Sequence, residues 1–151
     1  MHVILVLCIL FLILTMAWSI YFMPIFKISF KKQRNILQNG LLHYTTEQAV
    51  PNIIEKCLIG HVSHMGFPEN LLGNLIWMYP NSTIEQTEEL HSIMLSKHRA
   101  INHPERYDFC LLISQIEQKD LEHLRYRLYD GAIVYCGDVF KPRHITVFKQ
   151  W

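Results

Sequence analysis

Tyr107 to Ser114 reads YDFCLLIS. An apolar run of this length, with an aromatic and β-compatible residues and a charged residue only near its start, predicts a strand buried in a sheet. Upstream, Asn74 to Tyr79, NLIWMY, is a second run of strand length, stopped by Pro80 and consistent with burial on both faces. Between the two, Asn81 or Ser82 is placed to cap a helix. That helix carries Ile84, Leu90, Ile93, Met94 and Leu95 as its stripe, has Glu85, Glu88 and Glu89 near its N-terminal end, and fades near His98 to Pro104.

Further upstream, Gly40 closes a polar connector and Leu41 to Tyr44 reads as a strand. Thr45 and Thr46 offer hydroxyls for an N-cap. Ala49, Ile53, Ile54 and Cys57 then share one face of a short helix, with Pro51 near its start. Leu58 and Ile59 begin a second short extended piece, and His61 to Asn70, containing Gly66 and Pro68, reads as a loop.

Downstream, Asp120 can cap a helix whose Leu121, Leu124 and Leu128 recur at three and four residues, with Asp130 and Gly131 as its stop. Alternatively, Asp130-Gly131 is a hairpin turn joining Arg125 to Tyr129 with Ala132 to Cys136. The helix is the preferred reading. Ala132 to Cys136 is a strand, Gly137-Asp138 a turn, and His144 to Phe148 a last strand. Strands and short helices mixed in this way predict an α+β domain with a small mixed sheet.

The chain ahead of this domain has a different character. Val3 to Phe26, VILVLCILFLILTMAWSIYFMPIF, contains no charged residue, and only Thr15 and Ser19 are clearly polar. At about 1.5 Å rise per residue, some 20 apolar residues cross a hydrocarbon layer about 30 Å thick. A cleaved secretory signal wants a basic n-region and a small-x-small site, and this segment has neither. Trp18, Tyr21 and Phe22 suit an interfacial aromatic belt, and Pro24 marks the end of regular helix or a kink.

Lys27, Lys31, Lys32 and Arg34 come next with no acidic residue among them. The positive-inside rule then predicts a single-pass protein of the cell membrane, N-terminus out, with the bulk of the chain cytoplasmic. The organisation expected is a transmembrane anchor over 1–26, a basic juxtamembrane linker over 27–40 and the α+β domain over 41–151. Lipid contact is expected through the N-terminal helix.

Composition narrows the function classes. The chain has 14 basic and 13 acidic residues, a net charge of +1, which argues against nucleic-acid binding driven by phosphate contacts. About 125 residues lie beyond Phe26, enough for one small domain. The four cysteines at 8, 57, 110 and 136 form no disulfide framework, and Cys110 and Cys136 in apolar runs read as buried small hydrophobes. The six glycines are scattered and make no phosphate-binding loop.

Cys57, His61 and His64 are spaced four and three apart, which is a zinc-like arrangement only if a helix runs through Gly60; exposed histidines are the default. His103 or His144 with Cys110 or Cys136 would form a thiol dyad, though no spacing selects one. Arg125, Arg127, Arg143 and Lys141 suggest an anion-binding face, with a solvated surface as the simpler reading.

Leu42-His43-Tyr44-Thr45-Thr46, followed by the helix leading into Ile53 to Ile59, resembles the first motif of the ADP-ribosyltransferase fold, in which a strand bearing His-Gly-Thr or His-Tyr-Thr runs into a short helix. Members often carry Gly where this chain has Cys57. The resemblance implies NAD as cofactor. His43 and Thr45 of the motif would hold it, and Tyr79, at the end of the next strand, would stack near the nicotinamide. The acidic residue that the family places on a late strand has no counterpart, since Asp138 sits at a turn. The resemblance thus implies an NAD-dependent transferase acting on an unknown acceptor. The rival expectation is a non-catalytic, membrane-tethered protein-interaction or immunity-type module.

Overall fold

The structure is a computed structural model, and it describes residues 2–22, 25–62, 73–81, 84–96, 104–127 and 130–151. The chain runs through helix α1 (His2–Phe22), strand β1 (Ile25–Lys27), α2 (Phe30–Asn39), β2 (Leu41–Thr45), α3 (Val50–Glu55), β3 (Leu58–Ile59), β4 (His61–Val62) and β5 (Asn74–Pro80). It continues with α4 (Ile84–Ser96), β6 (Phe109–Ser114), β7 (Leu124–Arg127), β8 (Ile133–Cys136), β9 (Val139–Phe140) and β10 (His144–Gln150). The α+β class expected from the mixed elements is the one observed, but in place of the small mixed sheet the described strands form a larger, wholly antiparallel one. An eight-stranded sheet runs in the order β1-β7-β8-β5-β2-β6-β10, with β4 also on β5 and every pairing antiparallel. β3 and β9 form a separate two-stranded ribbon.

The central strands are buried on both faces, as the uninterrupted apolar runs required. On one face Leu41, Ile76, Met78, Ile113 and Ile133 meet Ile36 of α2, together with Leu58 and Phe140 of the ribbon. On the other, Leu42, Tyr44, Tyr79, Cys110 and Ala132 meet Met94 of α4. In α3, Pro51 falls in the first turn, where its missing N–H costs little. Thr46 precedes the 3₁₀ turn Glu47–Ala49 but makes no capping bond with its hydroxyl.

Residues 27–40 are not a linker. β1 pairs with β7 from Ile25 opposite Arg127 to Lys27 opposite Arg125, and α2 sets Ile36 into the core at 3% exposure, with Ile28 at 5%. Burial of Ile28 and Ile36 contributes roughly 1.5–3 kcal/mol each to holding this segment on the sheet. The basic residues masked this in the sequence, because a helix with one buried side chain shows no apolar stripe.

The helix preferred over Leu121 to Leu128 is also absent. A 3₁₀ helix covers Gln118–His123, with Glu117 as N-cap and Asp120 at its third position, its Oδ2 accepting from the Glu117 N–H at 3.2 Å. From Leu124 the chain becomes β7 and turns into β8, as in the hairpin alternative. Asp130 fixes the turn: its carboxylate accepts from Arg127 Nε at 2.9 Å, from Arg127 Nη2 at 2.5 Å and from the Ala132 N–H at 3.1 Å. Leucine spacing suggested period 3.6, but Leu124 and Tyr126 face the core while Arg125 and Arg127 alternate with them, which is period 2.

Residues 63–72, which include most of the loop expected over His61 to Asn70, lie outside the described residues, as do Ser82, Leu128 and residues 97–103. In α1 the backbone helix is 21 residues long, and side chains are described for 4–16. Among the residues whose side chains are described, which in α1 are only the thirteen from 4 to 16, no helix is long and apolar enough to cross a membrane.

Gly40 joins α2 to β2 with φ 79° and ψ −170°, a region essentially confined to glycine, and a Cβ there would lie 2.4 Å from the Ile113 carbonyl oxygen. Gly40→Ala is therefore expected to cost about 1–3 kcal/mol or more. A thermal unfolding scan of the full chain in detergent should show Tm lower by several degrees; an unchanged Tm would show that this junction does not constrain the fold.

Candidate functional site

The residues expected to hold a cofactor lie where β2 meets β5. β2 is paired along its whole length with β6, from Leu41 opposite Ile113 to Thr45 opposite Phe109. Against β5 it is paired only at Leu41–Pro80 and Leu42–Tyr79. β4 takes the same edge of β5 at Leu75 and Asn74, because β8 holds the opposite edge. Between these two pairings lies the backbone of Ile76 to Met78. There His43 Nδ1 bonds the Trp77 carbonyl oxygen at 2.9 Å, so an imidazole stands in for a ladder bond where two strands diverge.

Cross-strand partners share a sheet face and neighbours along a strand alternate. His43 and Thr45 therefore lie on the face of Leu41, while Tyr79 lies with Leu42 and Tyr44 on the other. Thr45 is 8% exposed and Tyr79 also 8%. The three residues are close in the sheet, yet they converge on no common cleft.

His43 is partly exposed, and burial of its ring pulls its pKa below the ordinary 6.5, against the opposing effect of the Trp77 carbonyl. The ring is thus neutral at pH 7, its Nδ1–H donating to Trp77. Tyr79 directs its hydroxyl at Met94 Sδ, 3.5 Å away, and burial raises its pKa far above the usual phenol range. It serves as a protonated core tyrosine.

Around Tyr44 the α4 face gathers aromatic rings. Tyr79 meets Tyr44 edge-on at 5.9 Å, Tyr107 lies at 5.9 Å and Trp151 at 5.8 Å, while His91 stacks on Trp151 at 3.8 Å with 8° between planes. His91 Nε2 bonds the Tyr107 carbonyl at 3.1 Å, and burial lowers its pKa. This cluster was not visible in the sequence, because its members are spread from Tyr44 to Trp151 and only the sheet register brings them together. Geometrically it is packing, in which the Tyr44 and Tyr79 hydroxyls and His91 Nε2 are each bonded to an internal partner.

The other expected chemistry is dispersed. Cys110 is fully buried and burial pushes its thiol up to about 12, so it is no nucleophile near neutrality. His103 and His64 lie outside the described residues, and among the described residues no three His, Cys, Asp or Glu side chains are placed to hold a metal ion. Of the basic residues, Arg127 is clamped to Asp130 and stacks over Trp77 at 4.2 Å. Arg143 pairs with Glu117 at 2.8 Å, and Glu117 is held below the usual carboxylate range by Lys119 and Arg143. Arg125 lies elsewhere, on β7 beside β1.

Two shallow depressions among the described residues are about 520 Å³, lined by Gln115 to Gln118 and Arg143, and about 460 Å³, lined in part by Lys27, Gln33 and Arg125. Neither touches His43, Thr45 or Tyr79. Comparison with family models, curated proteins and solved structures found no match for the chain.

His43→Ala should leave the Trp77 carbonyl unpaired at a cost of about 1–3 kcal/mol. The pH dependence has a definite sign. With a folded-state pKa below 6.5, His43 contributes stability that is present above pH 6.5 and lost as pH falls from there towards the folded value; His91 acts in the same direction. The wild-type unfolding midpoint is expected to fall between pH 7 and pH 5, less steeply in His43→Gln. Equal slopes in the two proteins would rule out a buried neutral His43.

Proposed function

We propose that this chain is a single-pass membrane protein whose cytoplasmic α+β domain is a non-catalytic protein-interaction module. The observation that carries the non-catalytic half is the separation of His43 and Thr45 from Tyr79 by the sheet itself. A stacking ring on one face cannot cooperate with a hydrogen-bonding imidazole on the other around a single nicotinamide. The polar groups that the NAD reading would use on His43 and Tyr79 are also engaged internally.

The anchoring half is supported by α1. Its 21 residues span about 32 Å at about 1.5 Å per residue, with no charged side chain. The large apolar residues from Ile4 to Met16 are 48–69% exposed, on every turn rather than along one stripe, so no part of the domain covers them. Lipid is the solvent that such a surface fits. The basic residues at 27, 31, 32 and 34 favour the cytoplasmic side for the domain beyond them.

For binding a partner, the domain offers the edge of β10. Among the described strands it pairs only with β6, and Val147 is 47% exposed on it. A register irregularity between Val147 and Lys149, and the ion pair of Lys149 with Glu88, blunt its C-terminal half. His144 to Val147 is then the part to which an extended peptide would add as a strand.

Alkaline carbonate extraction of membranes from cells making the full chain should leave it in the pellet. Calorimetric titration of the purified chain in detergent with NAD should give no heat. Recovery in the supernatant would overturn the anchor, and NAD-binding heat abolished by His43→Ala would restore the transferase reading.

A further inference from the structure

β1 and β7 place two cations side by side. Lys27 lies directly opposite Arg125 in the antiparallel register, a like-charge pairing that is unfavourable unless something negative sits between. Both residues line the depression of about 460 Å³, together with Gln33, Leu121 and Glu122. Arg125 is held there: its Nη1 donates to the carbonyls of Glu122 at 2.5 Å and Leu124 at 2.9 Å, both backbone acceptors that leave the charge uncompensated. Glu122 is the single acidic residue of the lining, so the basic pair outnumbers it.

The position of this depression in the chain matters as much as its charge. Lys27 is five residues after the end of α1, so it can lie no more than about 18 Å from Phe22. The surrounding surface is basic and aromatic. Phe26 is 50% exposed and Phe30 81%, Lys31 and Arg34 are exposed on α2, and no acidic residue occurs before Glu47. Large exposed aromatics beside lysine and arginine suit the headgroup layer of a membrane, where rings rest at the interface and cations meet lipid phosphates. A solvated cationic surface gives no reason for Phe30 to stand in water.

Resting on the anchored reading, we propose that the β1–α2 edge of the domain is a docking surface for an anionic bilayer, with the Lys27–Arg125 depression seating the phosphate of an anionic phospholipid headgroup. The domain would then lie against the inner leaflet along this edge.

The test uses the full chain reconstituted into lipid nanodiscs of phosphatidylcholine alone or with phosphatidylserine, and reads amide hydrogen exchange over residues 25–39. Exchange should be slower with phosphatidylserine, by roughly fivefold for each basic residue engaged. The ratio of exchange rates between the two discs should fall towards one in K27Q/R125Q. K27Q alone, an exposed substitution, gives a partial fall and serves if the double variant does not fold. Equal exchange in both discs with the chain still held in them overturns this inference and leaves the anchor standing. Recovery of the chain outside the discs overturns the anchor and this inference together. Inorganic phosphate added to phosphatidylcholine discs should slow nothing; protection equal to that from phosphatidylserine would make the depression a site for soluble phosphate and remove the lipid assignment.

Discussion

The bond from His43 to the Trp77 carbonyl is the constraint on which the rest of the domain depends. Without it, the Trp77 carbonyl would lose its partner at the point where β2 parts from β5. With it, β2 leaves β5 after two paired residues while remaining bonded to β6 over all five. The freed edge of β5 accepts β4 at its other end. A five-residue strand therefore organises two separate cores, one beneath α2 and the β3–β9 ribbon, the other beneath α4.

The same bond explains why a motif-like sequence need not make a cofactor site. A histidine followed by Tyr-Thr at the start of a central strand is useful to any fold that must splay two strands while keeping a carbonyl satisfied. Its Nδ1 is engaged in that role. Tyr79 is similarly placed, since on the α4 face it joins Tyr44, Tyr107 and Met94 in a layer where the Tyr79 hydroxyl meets sulfur and the Tyr44 hydroxyl a backbone carbonyl. Near this layer the Arg127–Asp130 pair closes the β7–β8 hairpin, with Trp77 beneath the guanidinium.

The part of the fold legible in the sequence was the part controlled by local hydrophobic runs. The strands at Leu41, Leu58, Asn74, Phe109, Ile133 and His144 are where continuous or alternating apolar residues place them, because burial on one or both faces leaves a mark on every residue. Two things were misread for the same reason. α2 contributes a single deeply buried side chain, and β7 has four residues of which two are arginines, so each bears too few apolar positions for its period to stand out. The faces of the sheet were not legible at all. Whether His43 and Tyr79 share a side depends on cross-strand register, which no spacing within one strand records.

That α2 and β1 belong to the domain changes how it sits relative to α1. Only residues 23 and 24 separate α1 from a strand hydrogen-bonded into the sheet, so an anchored chain would have its domain fastened close to the bilayer rather than held on a tether. β1 is one end of the strand order and β10 the other, six steps of about 4.8 Å apart, or roughly 29 Å across the sheet. In such a chain the β1 edge, with Lys27 opposite Arg125, would lie nearest the lipid and the β10 edge farthest from it. A chain anchored in this way would need a rigid sheet between its two edges, and the two-faced core built around β2 supplies it.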